Sequence, residues 1–185
     1  IHGVDLLQYL MGDAKVVQGR AKTLIHEIEV EDDVTAYVEY ENGATGVFIT
    51  TTGDAHGTNR FEIQMDRAKF IVEHNKLIME EYEMTEQEFS KTNTSAFATV
   101  KSEYSEVETD GKNEQHVGVL NAWADAILNG GKLVAHGSEG INGLMLSNAM
   151  HLSAFLGKEV SLPIDEELYY NELMKRVATS RRKEG

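Results

Sequence analysis

The sequence predicts an α+β fold: a mainly antiparallel open sheet of about six or seven strands, with helices packed on one face and the other face free. Short segments rich in β-branched and aromatic residues recur between residues 16 and 107. Asn42-Gly43, a strong hairpin signal, joins two of these segments. From Asp110 onwards the apolar residues take the helical spacing of roughly 3.6 residues.

Composition narrows the class of protein. A chain of 185 residues suits one domain with a sizeable core. Its net charge of −14 disfavours nucleic acid and anionic membranes as partners, because both are bound through basic patches. The chain contains no cysteine, which removes disulfides and thiolate metal sites, and no apolar run approaches the roughly 18 residues of a membrane span. We therefore expect a cytoplasmic protein with no nucleic-acid or membrane partner.

The first twelve residues are predicted to form a short amphipathic helix. Val4, Leu7 and Leu10 share one face, and Gly12 follows where a helix commonly ends. His2 and Asp5 lie three residues apart, so a helix places them side by side on another face. A neutral imidazole is able to accept a proton at pH 7, which makes His2 a candidate for acid–base chemistry.

The strands are predicted from alternation and turn residues. A long strand over Val16–Val30 is followed by a solvated acidic turn, Glu31–Asp33. Strands over residues 34–40 and 44–52 complete a meander. Further strands are predicted over 61–65, 69–73, 76–82 and, at a sheet edge, 100–107, with a short helical turn near residues 86–89.

Three helices are predicted in the last third of the chain. The first ends at Gly130-Gly131, the second begins near Ser138 and ends at Gly157, and the third is capped by Asp165. If these helices cover one face of the sheet, the other face is open. Because the first strands carry apolar residues on both faces, we expect that open face to form a homo-oligomer interface.

Several motifs together resemble the Gfo/Idh/MocA oxidoreductases, which include glucose-fructose oxidoreductase and inositol dehydrogenase. Residues 2–12, HGVDLLQYLMG, resemble the family's H-x-x-D-L-L-x-W-L-x-G segment. Met65 and Ala68 depart from the family, which usually has glycine at these positions. The order and spacing of further pieces agree over nearly the whole chain: Asn42-Gly43-Ala44, Asn59–Ile63 with Asp66-Arg67, Gly137–Gly140, Ala149, Ser153-Ala154, Gly157-Lys158 and Val160–Pro163.

The resemblance implies a domain organisation. Family members join a Rossmann domain that binds NAD or NADP to a C-terminal α/β domain on the substrate side. Residues 1–185 resemble only the second domain, and the sequence has no G-x-G-x-x-G fingerprint. We therefore expect the cofactor to be bound by a domain absent from this chain, and the chain alone to be inactive with no cofactor-binding residues.

The resemblance also implies the site. His2 corresponds to the family's active-site histidine, which takes the proton from a sugar or polyol hydroxyl while hydride leaves for the nicotinamide. The alternative is a surface histidine near a chain end. Asp5 either orients His2 or bonds a substrate hydroxyl, or it only stabilises the helix end.

A polar loop supplies two further candidates. In family members the segment corresponding to residues 53–59 approaches the substrate, which makes His56 and Asn59 candidate substrate-binding residues; the alternative is an ordinary exposed loop. No histidine pair or carboxylate cluster has metal-ligand spacing, so no metal is expected. Two functions remain open: the substrate-binding and oligomerisation domain of an NAD(P)-dependent dehydrogenase of sugars, polyols or related hydroxy compounds, or a non-enzymatic dimerisation or ligand-binding domain of the same fold.

Overall fold

The computed structural model describes residues 2–112 and 114–181 and confirms the predicted α+β class with antiparallel sheets. No described helix is long and apolar enough to cross a membrane. The helices are α1 (His2–Met11), α2 (Glu86–Thr92), α3 (Gln115–Asn129), α4 (Gly140–Leu156) and α5 (Glu166–Val177). The strands are β1 (Ala14–Lys22), β2 (Asp33–Tyr40), β3 (Thr45–Thr51), β4 (Arg60–Gln64), β5 (Ala68–Glu73), β6 (Lys76–Tyr82), β7 (Ser102–Glu106) and β8 (Val160–Ser161).

The described strands form two four-stranded sheets, ordered β3-β2-β1-β8 and β4-β5-β6-β7, where the sequence predicted one sheet of six or seven strands. The chain correspondingly divides into two compact units. The first contains the described residues of Ile1–Gly57 and Ala122–Gly185, and the second is Thr58–Asn121. Hairpin signals predict which neighbouring strands pair, but not whether pairing continues across a long loop such as that between β3 and β4.

The first unit has an apolar core between its sheet and α4. Along β2 the residues alternate between buried and exposed, as expected for a strand with one covered face. Val38 and Leu146 are both 0% exposed. The helix lies directly on β1, because a Cβ added at Gly19 would lie 2.7 Å from the carbonyl oxygen of Met150. The Gly19 amide also donates to Ser153 Oγ at 2.8 Å, so glycine and serine together fix this contact.

The prediction of one strand from Val16 to Val30 is wrong beyond residue 22, and Asp32 is not solvated. Asp32 is 4% exposed, and its carboxylate accepts the amide N–H groups of Leu24, Ile25 and His26 at 2.7, 2.9 and 2.8 Å. These amides bind a carboxylate instead of a neighbouring strand, so the backbone turns into a loop. The backbone hydrogen bonds, led by that from His26, hold the pKa of Asp32 far below its usual range.

The second unit is a hairpin sheet with charged residues paired across its strands. Arg60 and Glu73 face each other across β4 and β5 and form an ion pair at 2.9 Å. Thr85 and Glu88 form a reciprocal capping box at the start of α2, which confirms the helical turn predicted there. Strand β7 lies at the edge of its sheet, as predicted.

The later helices confirm the predicted boundaries closely. Asp165 caps α5 by accepting the Leu168 amide at 2.9 Å, and Gly157 ends α4 with a φ of 67°. Ser138 does not cap α4 directly, because a 3₁₀ turn over Gly137–Glu139 precedes the helix. The apolar stripe predicted for α3 is present in sequence, but none of its residues is buried among the described residues.

Candidate functional site

Helix α1 carries the candidate catalytic residue and packs on α4. Val4 is 5% exposed and Leu7 is 9% exposed, which confirms the inner part of the predicted apolar face. Leu10, predicted to continue that face, is 47% exposed. Apolar packing on α4 is therefore confined to the first two turns of α1.

The C-terminal end of α1 is fixed to the Asn42-Gly43 hairpin. The Gly12 amide donates to Gln8 O at 2.9 Å, and Gly12 has the positive φ of 85° typical of a helix end. Asn42 Nδ2 donates to Met11 O at 3.0 Å and so satisfies one of the free carbonyls at that end. The hairpin predicted from Asn42-Gly43 thus also positions the helix that carries the candidate site.

His2 and Asp5 are both exposed on α1, in its first two turns. Among the described residues, neither side chain forms a hydrogen bond or an ion pair with another side chain. An exposed imidazole next to an exposed carboxylate on one helix face is chemically able to accept a proton from a hydroxyl group and to bind a second hydroxyl. The structure thus leaves both residues available to a substrate, and their roles stay predictions.

The two loop candidates fall in different units. His56 is exposed, and its amide donates to Asp54 Oδ1 at 3.2 Å within a turn that precedes Gly57, whose φ is 52°. Asn59 is exposed and comes directly before β4 in the second unit. The structure therefore groups His2, Asp5 and His56 in the first unit and assigns Asn59 to the second. Their binding roles stay predictions.

A buried carboxylate that the sequence did not single out lies in the second unit. Glu80 is 8% exposed and borders a cleft of about 680 Å³. Ser102 Oγ donates to it at 2.7 Å, and Lys69 Nζ lies 3.6 Å away. The hydrogen bond from Ser102 is the largest cause that lowers its pKa, with help from Tyr104, Lys69 and Tyr82. Since its oxygens already have partners, we interpret Glu80 as a structural residue of the sheet.

The described residues contain no group of three or more histidine, aspartate or glutamate side chains that could hold a metal ion. The sequence also lacks the glycine-rich strand–helix turn that binds a dinucleotide pyrophosphate. That the nicotinamide cofactor is bound outside this chain stays a prediction.

One family model matches the first part of the chain. Residues 1–71 match the model described as "GFO/IDH/MocA C-terminal domain", so the predicted resemblance is confirmed over this stretch. The match includes α1, strands β1 to β4 and the loop between β3 and β4, and therefore His2, Asp5, His56 and Asn59. No curated protein matches the sequence.

Solved structures extend the similarity in fold to most of the chain. A putative NADPH-dependent oxidoreductase from Desulfitobacterium hafniense aligns with a TM-score of 0.70 and 17% identity, covering 86% of this chain and 45% of that one. The WlbA dehydrogenase from Bordetella pertussis, solved with NADH and UDP-GlcNAcA, aligns with a TM-score of 0.57 and 21% identity, covering 89% and 43%. UDP-N-acetylglucosamine 3-dehydrogenase GnnA from Acidithiobacillus ferrooxidans aligns with a TM-score of 0.61 and 15% identity, covering 82% and 46%. The chain thus spans less than half the length of these proteins, and at these identities the likeness concerns the fold.

Proposed function

We propose that this chain is the substrate-side domain of an NAD(P)-dependent dehydrogenase that acts on a sugar, a polyol or a related hydroxy compound, with His2 as the proton-transfer residue. The observation that carries the proposal is α1: its inner face is buried on α4, while His2 and Asp5 remain exposed inside the stretch that matches the family. A helix fixed in this way can present an imidazole at a defined position.

In this proposal His2 accepts the proton of the substrate hydroxyl, and Asp5 orients the imidazole or binds a neighbouring hydroxyl. His56 binds a further hydroxyl group of the substrate, and Asn59 is a candidate substrate-binding residue on the sequence motif alone. The nicotinamide supplies the hydride acceptor when it is bound, and we assign its binding to a domain outside this chain. WlbA was solved with UDP-GlcNAcA and GnnA is a UDP-N-acetylglucosamine 3-dehydrogenase, so sugar nucleotides are the first substrates to test.

The test uses the full-length protein that contains this chain, with NAD⁺ or NADP⁺ and UDP-N-acetylglucosamine, inositol and glucose as probes. His2→Ala should lower kcat for the best probe by about 10²–10⁴-fold, the usual contribution of a general base. His116→Ala is the matched control, because His116 is also an exposed histidine at the start of a helix, and it should leave kcat unchanged. Reduced cofactor formed equally fast by His2→Ala and by the wild-type protein would remove the proposed role.

The open face of the first sheet supports a second part of the proposal, assembly into a homo-oligomer. Tyr37 faces Val47 across β2 and β3, and Ile49 lies on the same side of β3. Their exposures are 39%, 62% and 66%, so an apolar patch lies on the sheet face opposite the core. The patch has the character of a subunit interface.

Sedimentation tests this part of the proposal. The wild-type protein should sediment as an oligomer, and Val47→Glu should shift it towards the monomer, because a charge would then be buried at the interface. Lys158→Glu changes an exposed charge outside the patch and should leave the mass unchanged. A wild-type protein that stays monomeric at high concentration would exclude this interface.

A further inference from the structure

A glycine lies buried inside α4, where helix propensity disfavours it. Gly143 is the fourth residue of this 17-residue helix. Glycine in a helix interior costs about 1 kcal/mol relative to alanine, so another interaction has to favour it there. Gly140, at the first position of the same helix, has no atom within 4 Å of an added Cβ. The two glycines therefore have different surroundings.

The surroundings of Gly143 are formed by Asp5. A Cβ added at Gly143 would lie 3.3 Å from Asp5 Oδ1 and 3.6 Å from both its Cα and its Cβ. Backbone and side chain of Asp5 thus rest on the bare backbone of α4. A contact of 3.3 Å is tighter than an ordinary van der Waals contact, so even a methyl group would displace the Asp5 carboxylate by a few tenths of an ångström.

Other contacts of α1 limit how this helix can move if position 143 carries a larger side chain. Val4 and Leu7 are buried on either side of Asp5, and Met11 O accepts the hydrogen bond from Asn42. Because the C-terminal end is tied to the hairpin, a larger side chain at position 143 would move mainly the N-terminal half of the helix. That half carries His2.

We propose that Gly143 is a positioning residue of the candidate site. Because Gly143 has no side chain, α1 can pack close to α4, and this packing directs the Asp5 carboxylate and, through α1, the His2 imidazole towards the substrate. This inference rests on the proposed function. It adds a residue that touches no substrate and lies outside residues 1–71, the stretch matched by the family model.

The experiment compares Gly143→Ala, Gly143→Val and the control Gly140→Ala in the full-length protein, using the best probe substrate. Gly143→Ala should lower kcat/KM by about tenfold, and Gly143→Val by about a hundredfold, since a displacement approaching 1 Å can cost about that much. Gly140→Ala should keep wild-type kinetics. Gly143→Ala should also keep the wild-type thermal midpoint, because its gain in helix propensity offsets the tighter contact.

A double-mutant cycle separates positioning from a merely structural effect. In an Asp5→Ala background the displaced carboxylate is absent, so Gly143→Ala should cause no further loss of kcat/KM. Equal losses with and without Asp5 would overturn the inference, as would wild-type kinetics for Gly143→Ala in a protein that His2→Ala inactivates. If His2→Ala itself keeps full activity, the proposed function fails instead.

A crystal structure of Gly143→Val provides a readout that does not depend on activity. It should show the N-terminal half of α1 displaced from α4 relative to the wild-type protein. An α1 in the wild-type position would contradict the inference whatever the outcome for His2.

Discussion

The two units of this chain are stabilised in different ways. Every described apolar residue that is buried lies in the first unit, where α4 covers a sheet. Among the described residues of the second unit, only Glu80 is buried, and its side chain is a carboxylate. Its strands are joined by cross-strand ion pairs and hydrogen bonds, such as Arg60 with Glu73. One unit therefore contains a buried apolar core, whereas the other has charges paired across its hairpins and no buried apolar side chain among the described residues.

This difference indicates which unit can hold a catalytic side chain in a fixed position. Apolar cores are densely packed and hold attached elements in one place, whereas exposed ion pairs contribute little and are screened by salt. The helix that carries His2 and Asp5 is attached to the unit with the core. A candidate site that requires a fixed imidazole is therefore located where the chain is best able to fix it.

The largest effect should come from the core of the first unit. Leu146→Ala removes a side chain that is 0% exposed and should lower the free energy of unfolding by about 2–5 kcal/mol. Leu144→Ala, two residues earlier on α4, removes a side chain that is 49% exposed and should cost much less. Urea denaturation of both variants measures the difference. Equal losses of unfolding free energy in the two variants would show that the Leu146 side of α4 is not the side packed in the core.

The contact between α4 and β1 should give the next largest effect. Gly19→Ala places a Cβ against the backbone oxygen of Met150, which cannot rotate away, and should cost about 1–3 kcal/mol. Gly137→Ala is the control, because an added Cβ there meets no atom within 4 Å. A Gly19→Ala protein with wild-type stability in urea would show that the sheet and helix are further apart.

Acid should weaken the second unit. The folded-state pKa values of Glu80 and Glu62 are lowered, by the hydrogen bonds from Ser102 and Arg60 as the largest causes, relative to about 4.3 in an unfolded chain. Their stabilising contribution is therefore present above about pH 4.3 and is lost as the pH falls below it.

Hydrogen exchange measures this contribution strand by strand. Amides of β5 and β6 should exchange faster at pH 3 than at pH 6 after correction for intrinsic rates. Glu80→Gln should reduce this pH dependence, and the exposed Glu81→Gln should retain it. Exchange of the β5 and β6 amides that is equally fast at pH 3 and pH 6 would contradict this prediction.

The smallest expected effect concerns one hydroxyl group in the first unit. Tyr40 is 2% exposed, and its hydroxyl has no hydrogen-bond partner among the described residues. This burial raises its pKa to about 12. Tyr40→Phe should therefore raise the free energy of unfolding by about 1 kcal/mol, whereas Tyr37→Phe, at an exposed tyrosine, should not. A loss of stability in Tyr40→Phe would show that the hydroxyl is bonded.

Local patterns predicted most elements of the fold. Strand β6 has the predicted bounds, and Asp165 caps α5 as predicted, because alternation and capping depend on neighbouring residues. The division into two sheets depends on which strands pair across long loops. The loop after β1 depends on the hydrogen bonds that the Asp32 carboxylate accepts from backbone amides. Alternation continued past residue 22, and nothing in the sequence marked Asp32 among the neighbouring acidic residues as the buried one.

The candidate site was accessible from sequence only through the motif around His2 and Asp5. Their shared helix face follows from a spacing of three, and the structure confirms that helix. Gly143 could not be predicted, because its contact with Asp5 joins residues 138 positions apart and a helical glycine alone carries no such information. The substrate roles of His56 and Asn59 remain predictions.

The pH dependence of kcat/KM in the full-length protein tests the central claim most directly. If the imidazole of His2 accepts the substrate proton, kcat/KM should fall on the acid side. His2→Ala should lower the rate and abolish that fall, while His116→Ala should keep it. An acid limb that persists unchanged in His2→Ala would contradict the account.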